Sequence, residues 1–206
     1  AGQFGTDLVI MSTHGRGALS RTWLGSTADR LIRSLPMPVL LLRPRQGTAA
    51  DTGTPPEIRH ILIPLDGSPL AESILPHAGM FGRLTDATYT LVQAIEIFMP
   101  DYGYGPYVPS DFEIDSWQDE AQSYLERIAT GLRAEGREVK TDVILGPAGM
   151  SILEYAHKHA ADLIALETHG RTGVARLFLG SVADKIVRGA GVPVLLHRPP
   201  DKAAAM

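Results

Sequence analysis

Two stretches of this 206-residue chain spell nearly the same loop: STHGRGALSRTWLGS begins at Ser12, and ETHGRTGVARLFLGS begins at Glu167. Position n of the first copy corresponds to position n + 155 of the second, without a gap, from Asp7 to Pro44, and about half of these positions are identical. A repeat of this period has the length of a domain, not of a solenoid unit. The sequence therefore predicts two related units, of which the first is represented by its carboxyl-terminal part.

This repeat divides the chain into four segments. Residues 1–46 are interpreted as the C-terminal fragment of a first domain, 57–198 as a complete second domain and 199–206 as a tail. Between the two units, residues 47–56 lie within RQGTAADTGTPPE, which has the Gly, Thr, Ala and Pro content of an exposed linker.

Composition excludes several classes of protein. The net charge is -4 and no basic tract is present, so we expect neither nucleic acid nor an anionic membrane surface as a partner. No apolar run approaches the length of about 18 residues that a membrane span needs. The chain has no Cys, which excludes a disulfide framework and a sulfur-ligated zinc site. We interpret the protein as soluble and cytoplasmic.

Within the second domain, apolar runs of strand length alternate with amphipathic segments. This alternation predicts a parallel sheet with right-handed crossovers, whose ligands bind beyond the strand carboxyl ends where the strand order reverses. The first helix should be capped by Ser68 and kinked at Pro76. The predicted strands are HILIPLD, ATYTLVQAIEI, EVKTDVIL, DLIALE and PVLLH, and the predicted helices are SPLAESILPHAGMFGRL, Asp115–Ala134, MSILEYAHKHA and Ser181–Arg188.

Two loops follow strands at the expected ligand edge. In LDGS, Asp66 leaves a strand and Gly67 permits a tight turn, while ETHGRTGVARLFLGS delivers Gly180 and Ser181 to a helix start. Glycines and free helix amides suit a phosphate group. The alternative is that these Gly and Ser residues are ordinary loop and cap residues, and spacing alone leaves both readings open.

Four ordered motifs resemble those of a known family. ILIPLDGS, GPAGMSILEYA, ADLIALETHGRTG and LGSVADKIVRGAGVPVLLHRP together resemble a universal stress protein domain, and DLVIMSTHGRGALSRTWLGSTADRLIRSLPMPVLLLRP resembles the last third of another. The resemblance implies a doubly wound α/β fold of the Rossmann-like adenine nucleotide alpha hydrolase type. Its five-stranded parallel sheet would have the order 3-2-1-4-5, joined by a partial β-α-β repeat.

The resemblance also implies a site for ATP, alone or with Mg²⁺. In ATP-binding members the loop runs Gly, two residues, Gly, nine residues, Gly, then Ser or Thr. Asp66 would then lie by the adenosine and Gly170 near the ribose, with the Gly180, Ser181 and Val182 amides on the phosphates. The full set of expected nucleotide-binding residues is Pro64, Asp66, Ser68, Glu167, His169, Gly170, Arg171, Gly180, Ser181 and Val182.

One position departs from this motif, because Glu167 stands where the first Gly belongs. Its carboxylate could repel the phosphates, in which case Glu167→Gly should tighten ATP binding, or it could accept a hydrogen bond from a ribose hydroxyl. We expect weakened but surviving binding. The alternative function is a nucleotide-free dimerisation scaffold.

The resemblance has consequences for assembly as well. Related domains pair through their fifth strands, so we expect Val39–Leu42 to lie against Val194–His197. Apolar surface left over should favour a homodimer or larger homo-oligomer through fifth-strand edges. The segment Phe98–Phe112 is either a lid over the nucleotide or an insert without a specific role.

Other polar residues are assigned no chemistry. His14 and His169 lack a matching nucleophile and are interpreted as structural, and His157 and His159 are spaced so that they cannot share a metal ion. The acidic residues of 111–120 are interpreted as a solvated helix start. With no evident general base, we expect no dedicated enzyme and at most slow ATP hydrolysis.

Overall fold

The computed structural model describes residues 6–12, 30–32, 34–42, 57–97, 108–168 and 179–198. Seven strands in these ranges form one sheet: β1 Val9–Ser12, β2 Val39–Leu42, β3 His60–Pro64, β4 Thr88–Ile95, β5 Val139–Leu145, β6 Leu163–Glu167 and β7 Val194–His197. The helices of residues 57–198 are α1 Pro69–Glu72, α2 Leu75–Thr85, α3 Asp111–Ala134, α4 Ala148–Lys158 and α5 Ser181–Gly189.

The sheet has the strand order β1-β2-β7-β6-β3-β4-β5, and every neighbouring pair except β2 and β7 is parallel. Counted from β3, the strands of residues 57–198 read 3-2-1-4-5. The predicted α/β fold class is confirmed. Strand order reverses between β3 and β6, so the carboxyl ends of these two strands lie side by side.

Strand β2 joins the amino-terminal segment to this sheet by antiparallel pairing with β7. Leu40 lies opposite Leu195, Val39 opposite Leu196 and Leu41 opposite Val194. Because Leu40 and Leu195 are equivalent positions of the repeat, the pair is centred on a local two-fold axis. The predicted edge pair is confirmed. Since β7 pairs with β6 on its other side, it offers no free edge for the homodimer that the sequence predicted through this strand.

Apolar side chains cover both faces of the sheet. Leu62, Ile164 and Leu196 lie on the face covered by α4 and α5, while the alternate residues Leu163 and Leu195 lie on the face covered by α2 and α3. Strands β3, β6 and β7 are therefore buried on both sides. Burial on both faces explains why their sequences are continuous apolar runs, without polar alternation.

The helix predicted after β3 is two helices, not one kinked helix. Ser68 caps α1 as expected, its Oγ accepting a hydrogen bond from the Ala71 amide at 3.2 Å. The chain then turns before α2 starts at Leu75. Proline has no amide hydrogen to donate, so Pro76 fits the first turn of a new helix better than the interior of a long one.

Helix α3 starts four residues earlier than predicted. Its start is a capping box, in which the Ser110 amide donates to Glu113 Oε2 at 2.9 Å and the Glu113 amide donates to Ser110 Oγ at 3.3 Å. Asp111 and Phe112 are therefore helical and do not belong to a loop. Residues 98–107 of the segment predicted to be a lid or an insert lie outside the described residues.

Candidate functional site

A tight turn fixes a carboxylate at the end of β3. Asp66 Oδ1 accepts hydrogen bonds from the Ser68 amide at 2.9 Å and from Ser68 Oγ at 2.6 Å. Gly67 has φ 84°, in the left-handed region, so the turn requires a residue without Cβ strain. The Leu65 amide donates to the Val92 carbonyl at 2.9 Å, which keeps the strand end against β4. The turn thus holds Asp66 at the carboxyl edge of the sheet.

The amino terminus of α5 lies at the same edge. The Gly180 amide donates to the Thr168 carbonyl at 2.8 Å, and the Thr168 amide donates to the His197 carbonyl at 3.0 Å. The two ends of the glycine loop are therefore tied together. Leu62 pairs with Ile164, and extending this register places Asp66 level with Thr168. No described side chain caps α5, whose first amides are donors available to an anion.

The expected site residues divide into those that the structure describes and those that it does not. Pro64, Asp66 and Ser68 follow one another at the end of β3, and Gly180 with Ser181 and Val182 starts α5. His169, Gly170 and Arg171 lie outside the described residues, as does His14. The described residues at both strand ends are thus brought to the edge at which strand order reverses.

Glu167 differs from its sequence-based expectation. Its Oε1 accepts a hydrogen bond from Ser73 Oγ and one from His197 Nδ1–H, each 2.7 Å long, and its side chain is 2% exposed. An ionised carboxylate only accepts, so Nδ1 carries the proton of the second bond. The carboxylate lies among side chains on the α1–α2 side of the sheet, and its expected place beside ribose and phosphates stays a prediction.

His77 of α2 completes this group of buried polar side chains. Its ring centroid lies 4.1 Å from that of His197. Burial lowers the pKa of His77 from its ordinary value of 6.5, and the electrostatic effect of the neighbouring His197 lowers it further. Both effects favour the neutral form of His77.

Sequence reasoning missed Ser73, His77 and His197. A signal for His197 was present in the repeat, because the first copy has Ser12 and Leu42 at the positions of Glu167 and His197. Both pairs are register partners in the sheet. A carboxylate buried at a strand end needs a partner, and the simultaneous change of two paired positions identifies it.

Negative charge gathers near the Asp66 turn. Burial raises the pKa of the Tyr124 hydroxyl of α3 well above its usual range, and the carboxylates of Glu72 and Asp66 raise it further. Tyr124 therefore remains a protonated phenol at neutral pH. The α5 terminus, by contrast, presents the positive end of a helix dipole. The edge thus has an acidic side and a side suited to anions.

The described ranges offer neither a metal cluster nor a membrane-spanning helix. They hold no group of three or more His, Cys, Asp or Glu side chains placed to bind a metal ion. None of their helices combines the length and the apolar character needed to cross a membrane. His157 and His159 are exposed, and the His159 ring stacks on Tyr155 with centroids 4.0 Å apart.

Comparisons with known proteins agree with this architecture. The sequence profile of the universal stress protein family matches residues 1–43 and 57–198. Universal stress protein MJ0531 of Methanocaldococcus jannaschii is 30% identical over 151 residues, which cover 70% of this chain and 84% of that protein.

Longer relatives extend the match across the linker. Universal stress protein Rv2005c of Mycobacterium tuberculosis is 27% identical over 195 residues, and the match covers 93% of this chain but only 62% of that protein. The crystal structure of a universal stress protein from Archaeoglobus fulgidus superimposes with a TM-score of 0.67 at 18% identity, covering 97% of this chain and 65% of the other. At this identity the superposition supports the fold alone. With the family profile covering most of the sequence, the chain belongs to the universal stress protein family.

Proposed function

We propose that this chain binds ATP or a related adenine nucleotide at the carboxyl edge of β3 and β6, and that binding regulates a stress response. The observation that carries the proposal is the placement of the Asp66 turn and the α5 terminus on either side of the strand-order reversal. Nucleotides bind at such reversals in doubly wound sheets, with phosphates on helix amides.

The proposal gives each part of the edge a role. The β3 end would hold the adenosine through Asp66, and the glycine loop would hold the ribose and phosphates. A carboxylate near a sugar hydroxyl and free amides near phosphates match the charges that each part presents. The proposed contacts come from Pro64, Asp66, Ser68, His169, Gly170, Arg171, Gly180, Ser181 and Val182.

The wider biology belongs to the same proposal. We place the protein in the cytoplasm, with ATP alone or with Mg²⁺ as the ligand, as a regulatory module that hydrolyses ATP slowly if at all. The proposed division is a first-domain fragment at residues 1–46 followed by a complete domain at 57–198. A homo-oligomer remains part of the proposal, through a surface other than the paired edge of β7.

One observation favours a second candidate function. Glu167 replaces the first glycine of the family's ATP motif, which suits a nucleotide-free scaffold that works through its interfaces. The two functions differ in a single measurable property, the affinity for ATP.

Thermal unfolding with and without ATP and Mg²⁺ tests the proposal. ATP at 100 times its dissociation constant should stabilise the chain by about 2.7 kcal/mol. Gly180→Val should abolish this stabilisation, because a branched side chain at the start of α5 blocks close approach of a phosphate. Gly131→Val is the control, since Gly131 lies on α3 with open space around it. If ATP leaves the wild-type transition unchanged, the scaffold function replaces this proposal.

A further inference from the structure

We propose that Glu167 is a positioning residue, which Ser73 and His197 hold so that the end of β6 and the start of α5 keep their places at the nucleotide site in the absence of the usual first glycine. This inference rests on the proposed nucleotide binding. Glu167 would act without touching the ligand, through the backbone that follows it.

The hydrogen bonds of Glu167 join three separate parts of the site. Ser73 lies between α1 and α2, directly after the helix that the Asp66 turn starts, and His197 is the last residue of β7. Both donate to the same carboxylate oxygen at 2.7 Å. Ser73 Oγ also lies 2.7 Å from the Leu70 carbonyl, which fixes its position on the α1 turn. The carboxylate thus connects the adenosine side of the site with the phosphate side.

The connection continues into the glycine loop through the next residue. Thr168 is 2% exposed, and its amide and carbonyl are bonded to His197 and Gly180 at 3.0 and 2.8 Å. A shift of the Glu167 side chain would therefore move a backbone unit that holds the start of α5. The side chains of Glu167 and His197 are themselves 2% and 7% exposed, so each is enclosed largely by protein groups.

The internal repeat offers an independent comparison. Ser12 and Leu42 occupy the equivalent register positions in β1 and β2. The first copy thus pairs a small polar residue with an apolar one, whereas the second pairs a buried acid with a histidine. Without the histidine, the buried Glu167 carboxylate would lose its ring donor. The two changes together make the substitution compatible with folding.

Other titratable groups lie on the elements packed around this pair. From α2, the His77 ring lies tilted against that of His197, with centroids 4.1 Å apart. Asp66 at the β3 end and Glu72 on α1 act on the Tyr124 hydroxyl of α3, whose pKa they raise. Ser73 and His197 both donate to the Glu167 carboxylate, and the positioning role rests on these two bonds.

ATP titration calorimetry on the full chain tests this role with matched variants. Glu167→Gln keeps an oxygen that accepts from both donors, so its dissociation constant should stay within about twofold of the wild type. Glu167→Gly and Ser73→Ala should each weaken ATP, the former by about tenfold, equivalent to about 1.4 kcal/mol. Combining them should be no worse than Glu167→Gly alone, because Ser73 acts through the carboxylate. Ser123→Ala, on the exposed face of α3, should change nothing.

The alternatives give different patterns. If Glu167→Gln and Glu167→Gly both tighten ATP, the carboxylate faces the phosphates and the positioning role is wrong. If Glu167→Gly weakens ATP while Ser73→Ala does not, a direct ribose contact replaces it. A variant that fails to fold is recognised by its unfolding curve without ATP, and Glu167→Gln with Ser73→Ala then decides between the roles.

A second readout separates this inference from the proposed function. Nitrogen NMR of the His197 ring should report a protonated, exchange-protected Nδ1 in the wild type, with an altered signal in Glu167→Gln. An unprotected Nδ1 overturns the inference even if ATP binds. If the wild type binds no ATP, the proposed function and the positioning role fail, and a protected Nδ1 would leave a hydrogen bond of structural importance only.

Discussion

Replacing Glu167 and His197 by the Ser and Leu that stand at the equivalent positions of the first copy should reveal the coupling free energy between the two residues. His197→Leu alone leaves a carboxylate, 2% exposed, without its ring donor. Removing the partner of a buried carboxylate costs about 3–5 kcal/mol, mainly because the carboxylate charge stays buried. Glu167→Ser with His197→Leu installs the pair that the first copy carries, and replacing both buried partners is often close to neutral. We therefore expect the double variant to be more stable than His197→Leu by at least about 2 kcal/mol.

Urea unfolding at pH 7 without nucleotide measures this coupling, provided that the slope of the free energy against urea is unchanged among the variants. The partly exposed pair Asp184 and Arg188, joined at 2.7 Å across one turn of α5, is the control and should give a coupling of a few tenths of a kcal/mol. A coupling below about 0.5 kcal/mol for the buried pair would refute the reasoning, since the carboxylate would then not depend on His197.

Three further changes test the fold and the site. Leu41→Ala should lower the free energy of unfolding by about 2–5 kcal/mol, since Leu41 is 2% exposed at the β2–β7 junction, whereas Leu84→Ala, at 79% exposure, should change it by less than about 0.5 kcal/mol. Folding lowers the pKa of His77, so the folded chain binds fewer protons than the unfolded chain, and the free energy of unfolding should fall as the pH drops below about 6.5. In a profile of melting temperature against pH, His77→Gln should reduce the slope below about pH 6.5. Gly67→Ala should destabilise by about 1–2 kcal/mol because φ is 84°, while Gly131→Ala, in an open helical position, should stabilise by about 0.5–1 kcal/mol in the same urea assay.

The fold could be predicted from the sequence because the patterns that indicate its strands are local and occur repeatedly. Apolar runs such as HILIP report strands buried on both faces, and the resemblance to a family whose domains pair through their fifth strands predicted that β2 would pair with β7. Helix starts were less accessible. The Ser110 capping box was overlooked, and Pro76 was assigned to a kink although proline equally suits the first turn of a helix.

The site was predictable at its backbone and less so at its side chains. The positions of the motifs predict the strand ends, the glycine of the turn and the start of α5. Together they place Asp66 and Gly180 at the carboxyl edge of the sheet. The direction of the Glu167 side chain does not follow from the motif, because it depends on Ser73 and His197, which are distant in sequence. Such a contact can be inferred only by comparing, between the two copies, the residues that face each other on neighbouring strands.

The antiparallel junction of β2 and β7 also bears on how the chain folds. Leu40 and Leu195 are 155 positions apart, so their contact closes a far longer stretch of chain than the contact of β3 with β4. Pairing at such separation is slow to form. During synthesis from the amino terminus, the apolar strand Val39–Leu42 leaves the ribosome well before its partner exists. Nascent chains therefore pass through an interval in which the β7-facing edge of this apolar strand has no partner, and this interval is when they most need chaperone protection against association with one another.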